Sequence, residues 1–257
     1  MAEPLKLTAI VLRAVDYGEA DRVITLLSRE RGKVTAFARA ARASRRRFGG
    51  GLEPFTLVAA ELRERQGADL LGLESVSPLR PHGAIRGDLA RIACASYAAE
   101  LARELVRDHE PHEELFELLL AYLGVLDRSA ARPATLRAFE LGALRAAGLA
   151  PRLDACARCG GPLPARGPVR FDPAHGGALC ATCAPLASQG AAVLSAGAAA
   201  ALFRLAEGGL AAGEAEPLAP AAGRELRDGL TGFIEYHLGR RLAARRFLDE
   251  VGPMLGE

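Results

Sequence analysis

The chain of 257 residues is 50% hydrophobic and 25% charged, the balance of a soluble globular protein with one large or two to three smaller cored domains. No stretch reaches the ~18 uninterrupted apolar residues of a membrane span. The opening MAEPLKLTAI lacks a basic segment followed by an apolar one, so secretion is not expected and a cytoplasmic setting is. The net charge of +2 hides an asymmetry: Arg29, Arg31, Lys33, Arg39, Arg42, Arg45, Arg46 and Arg47 are opposed by Glu30 alone, whereas Glu100 to Glu117 is dominated by carboxylates. One face should attract polyanions and another repel them.

The first eighty residues read as β-structure, in the runs LKLTAIVLRAV, DRVITLLS, KVTAFARA, FTLVAAELRE and DLLGLESV. Such short apolar runs divided by turn signals predict a small five-stranded barrel, of the OB type or SH3-like. In the third run, alternation sends Val34, Ala36 and Ala38 to one face and Lys33, Thr35, Phe37 and Arg39 to the other. An aromatic between cations suits a single-strand groove, which needs both phosphate neutralisation and a stacking surface.

Other chemistry is poorly supported in this region. Phe48-Gly-Gly-Gly51 lacks the Lys-Ser or Lys-Thr of a phosphate-binding loop. Asp16, Glu19 and Asp21 cluster near the second strand in the manner of a two-metal nuclease site, but Arg13 and Arg22 lie nearby as partners. They read first as surface carboxylates.

After Pro81 the period becomes helical: Leu89, Ile92, Tyr97, Leu101 and Leu105, then Leu115, Leu119, Tyr122, Leu123 and Leu126, then Leu136, Phe139, Leu144 and Ala147. Cys94 sits in the first of these helices as a small buried hydrophobe. Pro111 and Pro133 mark the starts of the second and third. His82, His109 and His112 flank helix ends without ligand spacing.

Cys156-Ala-Arg-Cys159 and Cys180-Ala-Thr-Cys183 are separated by twenty residues, the spacing of two zinc knuckles facing each other. Two tight turns of this kind complete the tetrahedron zinc accepts, leaving no position for a catalytic water. The competing readings are a redox pair and a site without metal. An odd total of five cysteines argues against a disulfide framework. His175, between the pairs, reads as a loop histidine before it reads as a ligand. Ala198 to Glu207 and Gly223 to Leu248 return to helix, with Leu226, Leu230, Phe233, Ile234, His237 and Leu238 on one stripe, Arg240, Arg241, Arg245 and Arg246 after it, and LAAGEAEPLAPAAG reading as a flexible connection.

Tyr17-Gly-Glu-Ala-Asp-Arg-Val-Ile-Thr-Leu-Leu-Ser28, then Gly32-Lys33, then Ala38-Arg39-Ala40-Ala41-Arg42, resemble the N-terminal region of the RecO family of recombination mediators. The cysteine pairs, with Phe171 and Gly176-Gly177 ahead of the second, are similar to that family's zinc module. Phe233-Ile-Glu-Tyr-His237-Leu238-Gly239, followed by Arg246-Phe247-Leu248, resembles its C-terminal helix. One departure is Arg39-Ala40, where the family often has Lys-Gly.

The resemblance implies an α+β chain: an OB-fold barrel over 1–80, a helical bundle over 81–151 and 190–257, and a zinc module holding one structural ion inserted at 152–189. It implies binding of single- and double-stranded DNA, strand annealing without catalysis, and a nucleoid-associated cytoplasmic location. Its implied partners are RecR, the single-strand-binding protein SSB and, through them, RecA. Lys33, Phe37, Arg39, Arg42, Arg45, Arg46 and Arg47 are the expected DNA contacts. Arg132, Arg137 and Arg145 are candidates for holding the acidic SSB tail. The rival readings are a metal-dependent nuclease using Asp16, Glu19 and Asp21, and a zinc-ribbon adaptor whose barrel binds RNA.

Overall fold

The computed structural model describes residues 4–64, 70–165, 167–215 and 217–255; the side chains of Arg45 and of 253–255 lie outside the described part. By contact the chain divides into two compact units, Met1–Asp88 with Ala99–Ser129, and Leu89–Ala98 with Ala130–Glu257.

The first unit is built on β1 (Leu5–Tyr17), β2 (Asp21–Ser28), β3 (Gly32–Ala38), β4 (Leu57–Arg63) and β5 (Leu71–Arg80). They close in the order β1-β2-β3-β5-β4, β1 pairing antiparallel with both β2 and β4. This is an OB-like barrel, which decides between the two barrel types the sequence allowed. Closure needs a strand that serves two neighbours, and β1 does so through a register shift between Val11 and Arg13, the local bend a bulge supplies. Alternation fills the interior: Val11, Ile24, Leu26, Val34, Ala36, Ala38, Val58 and Leu62 are all fully buried. Each buried Val or Leu contributes about 1.5–3 kcal/mol relative to exposure.

The turn into β3 is set by Gly32. Its φ is +61°, and a Cβ there would stand 1.8 Å from the Glu110 carbonyl oxygen. Here the chain is held by its own later segment: the His109 N–H donates to the Lys33 carbonyl oxygen at 2.9 Å. A short helix, α1 (Arg45–Phe48), follows the β3 loop. α2 (Leu89–Leu105) begins in the second unit and ends in the first, which also contains α3 (Glu113–Arg128). Glu113 and Glu114 occupy the first turn of α3, where carboxylates complement the helix dipole.

The second unit contains α4 (Pro133–Ala146), a three-stranded sheet of order β7-β6-β8 from β6 (Val169–Asp172), β7 (Gly177–Leu179) and β8 (Ala192–Leu194), then α5 (Ala196–Ala215), α6 (Pro220–Leu238) and α7 (Ala243–Leu255). The sheet was not legible as strands, because its members are only three or four residues long. Two expectations are corrected. The alanine-rich stretch from Leu210 is not a flexible connection: α5 runs to Ala215, past a non-helical Gly209, and α6 begins at Pro220. Alanine's helix propensity outweighs the glycines there. The single C-terminal helical run is instead two helices, broken at Gly239 in the left-handed conformation. None of the described helices is long and apolar enough to cross a membrane.

Candidate metal centre and basic surface

The four cysteines converge. Among the described residues they form the group able to hold a metal ion, with all four sulfurs within 4.8 Å of one another. Each pair is closed by its own turn: Gly160 N–H donates to Cys156 O at 2.9 Å and Cys183 N–H to Cys180 O at 3.0 Å. Gly160 supplies the positive φ of the first turn at +74°, and Gly161 N–H donates to Cys159 Sγ at 3.4 Å. An ion bound by four thiolates at ~2.3 Å has sulfur–sulfur edges of about 3.8 Å, and Cys159 Sγ lies 3.7 Å from Cys180 Sγ.

The electrostatics agree with the geometry. Burial raises the Cys156 thiol, but backbone N–H donors from Cys180, Cys159 and Arg158 outweigh it and bring it below its ordinary value. Burial, the neighbouring sulfurs and the negative charge on Cys156 push Cys183 well up. Four crowded sulfurs cannot all ionise unaided, and a divalent cation removes that conflict.

His175 takes no part. Its Nδ1 lies 2.7 Å from Asp172 Oδ2. Asp172, wholly buried, also accepts from the N–H groups of Ala174 and Ser188. The carboxylate thereby ties β6 to the loop after the second cysteine pair, a role nothing in the sequence signalled.

On the barrel, β3 has the expected alternation, with Lys33, Thr35 and Phe37 only partly buried. The cations separate into two sets. Lys33 is engaged within the first unit: its ammonium donates to the Arg103 carbonyl oxygen at 3.1 Å and pairs with Asp108 at 3.3 Å. Arg29 pairs with Glu117 and stacks over Phe116, its guanidinium carbon 5.4 Å from the ring centroid. Part of the acidic stretch therefore compensates part of the basic run, which narrows the expectation of two opposed faces.

Arg39, Arg42, Arg46 and Arg47 form the other set. Arg39, Arg42 and Arg46 are exposed and Arg47 is half-buried. Arg42 donates to the Glu19 carbonyl oxygen at 3.1 Å and Arg47 to the Arg39 carbonyl oxygen at 2.6 Å, so no carboxylate neutralises any of the four among the described residues. Beside them a cleft of about 250 Å³ is lined by Arg22, Arg42, Ser44, Gly49, Gly50 and one carboxylate, Glu53, among others.

Asp16 accepts from Arg22 at 2.8 Å and Asp21 from the Ala40 N–H at 2.7 Å. With Glu19 they form no metal-binding group among the described residues.

Of the three candidate arginines, Arg132 just ahead of α4 and Arg145 within it are exposed, Arg132 donating to the Glu214 carbonyl oxygen at 2.8 Å. Arg137 is not a surface residue. It is 0% exposed and pairs at 3.1 Å with Glu140, also 0% exposed. α4 is buried on every face from Ala134 to Leu141, so the position off its apolar stripe is covered as well.

Fold and centre together define a protein with an OB-like barrel and a helical part carrying a four-cysteine site able to hold a metal. Residues 1–82 match the family model described as recombination protein O N terminal, and 86–246 match recombination protein O C terminal. The chain is 73% identical over 252 residues to the DNA repair protein RecO of Anaeromyxobacter sp. (strain K), covering 98% of both chains. Identity to the DNA repair protein RecO of Myxococcus xanthus (strain DK1622) is 48% over 246 residues, 95% of this chain and 96% of the relative. Identity to that of Geobacter sulfurreducens is 39% over 254 residues, 97% and 99% respectively. The chain belongs to the RecO family of DNA repair proteins.

Proposed function

We propose that this protein binds single- and double-stranded DNA through the barrel, anneals complementary strands and, with RecR, helps load RecA onto SSB-coated single strands. The carrying observation is the group Arg39, Arg42, Arg46 and Arg47, whose charges meet no carboxylate among the described residues. Such a surface neutralises phosphates on two strands at once, and lowered repulsion lets complementary bases meet. No bond is made or broken, and we assign no catalytic residue. Asp16 and Asp21 are engaged by Arg22 and Ala40, which weighs against the nuclease reading.

Phe37 and Arg45 belong to the same interface; Lys33, engaged with Asp108, acts through the fold of the hairpin. The ion at Cys156, Cys159, Cys180 and Cys183 is zinc, held by four thiolates with no position open to water, and its contribution is structural. Arg132 and Arg145 hold the SSB tail, without Arg137. The protein works in the cytoplasm at the nucleoid.

The test is the annealing rate of complementary strands coated with SSB, with and without RecR. Reversing Arg39, Arg42, Arg46 and Arg47 to Glu is expected to abolish annealing. For the unaltered protein, the logarithm of affinity should fall with that of salt by ~0.7 per single-strand phosphate contact. Binding insensitive to salt would reject the interface. Arg145→Glu should weaken SSB binding and spare naked DNA; equal loss of both would reject the docking assignment. Cleavage in Mg²⁺ abolished by Asp21→Asn would restore the nuclease reading, and preference for RNA in competition would favour the adaptor.

A further inference from the structure

Strand pairing creates a second surface on the barrel, away from its core. Val15 lies opposite Val23, and Val23 opposite Phe37, so β1, β2 and β3 contribute one residue each to a cross-strand row. The flanking row Ala14, Ile24 and Ala36 belongs to the barrel core. Alternation therefore turns Val15, Val23 and Phe37 outward.

Next to this row stands Tyr17, 61% exposed, its ring edge-on to Phe37 at 5.6 Å between centroids and 80° between planes. Val15 is 39% exposed. Together with Phe37 these two form a small apolar patch on the outer face of the sheet, at the barrel surface. Arg13 precedes this row on the same face of β1, and Arg39 stands two residues after Phe37, in the turn just past β3. Both are exposed, and neither has an ion-pair partner among the described residues.

We propose that Val15, Tyr17, Val23 and Phe37 form a platform for unstacked nucleobases, with Tyr17 as the stacking residue and Arg13 and Arg39 holding the flanking phosphates. The inference rests on the DNA-binding reading above and sets its selectivity. In a duplex each base face is covered by its neighbours, so a flat aromatic platform gains nothing there; a single strand offers its faces freely. Charge complementarity chooses this occupant over an apolar protein partner, because exposed Arg13 and Arg39 stand to either side of the row, while Asp21, opposite Tyr17, is engaged by the Ala40 N–H. Stacking on the base face also leaves the pairing edges free, as an annealing protein requires.

The experiment measures affinity of the full-length protein and its Tyr17→Ala and Tyr17→Phe variants for three probes: an ordinary single strand, an abasic strand of equal length, and a blunt duplex. Tyr17→Ala should weaken the ordinary strand by roughly tenfold. The abasic strand and duplex should be unaffected, and Tyr17→Phe, which keeps the ring, should match the unaltered protein. Since Tyr17 is solvent-exposed, thermal melting of Tyr17→Ala should stay unchanged. Equal loss on ordinary and abasic strands, or no loss on any probe, overturns the platform. If the unaltered protein binds abasic and ordinary strands alike, the platform falls while the phosphate-binding surface stands. If it binds no probe, the DNA-binding reading falls with it.

Discussion

Gly32 shows how a single position can be legible as a turn and illegible as a contact. Its positive φ and its approach to the Glu110 carbonyl oxygen are separate constraints, and only the first is suggested by a glycine between two strand-like runs. Gly32→Ala is expected to lower stability by about 2 kcal/mol or more, read as a fall in melting temperature. Asp172 was invisible to sequence reading because its partners include groups as distant as Ser188 and backbone N–H groups that carry no residue signature. Burial alone would raise its carboxyl, but donors from Ser188, His175 and Ala174 prevail and hold it at about 2. A carboxyl lowered in the folded state stabilises at pH above its unfolded value, and that stabilisation is lost as pH falls through the folded value. Asp172 should therefore contribute about 2 kcal/mol near neutrality, disappearing between about pH 4 and pH 2. Denaturant titrations across that window should show the slope in the unaltered protein and a flatter one in Asp172→Asn. The cysteines are the opposite case, since their spacing is itself the ligand geometry.

At the scale of elements, the barrel strands were legible because each has one buried face, so the period of two survives in sequence. α4 defeats the corresponding helical argument. Leu136, Phe139 and Leu144 mark a stripe, yet Arg137 and Glu140 are as buried as they are, because a helix covered all round leaves no polar face for the period to reveal. The charges are tolerated through pairing, and burial together with the Glu140 charge raises the Tyr97 hydroxyl pKa well above its ordinary value, keeping it protonated. Removing one partner should be far costlier than removing both charges. Arg137→Met alone is expected to lose ~3–5 kcal/mol. Combining it with Glu140→Gln, which removes the second charge at nearly the same volume, should recover most of that loss in equilibrium unfolding. A double variant no more stable than the single would show that shape, rather than unpaired charge, sets the cost.

For the molecule as a whole, the metal site and the barrel surface belong to different compact units. Cys156→Ser is accordingly expected to lose bound metal and cooperative unfolding first, measured by metal analysis and calorimetry, with DNA binding failing only as a consequence. A folded, metal-loaded Cys156→Ser protein unable to bind DNA would place the cysteines in the interface instead. The chain also leaves the first unit after Asp88 and returns to it at Ala99, so the acidic partners of Arg29 and Lys33, Glu117 and Asp108, belong to that later passage. This has a consequence for biosynthesis. At ~5–20 residues per second, the ribosome exposes the complete set of barrel strands, the last ending at Arg80, before the carboxylates that balance their hairpin emerge. For a second or more the nascent barrel has its full positive charge, and it reaches its mature affinity for polyanions only when the helical segment emerges behind it.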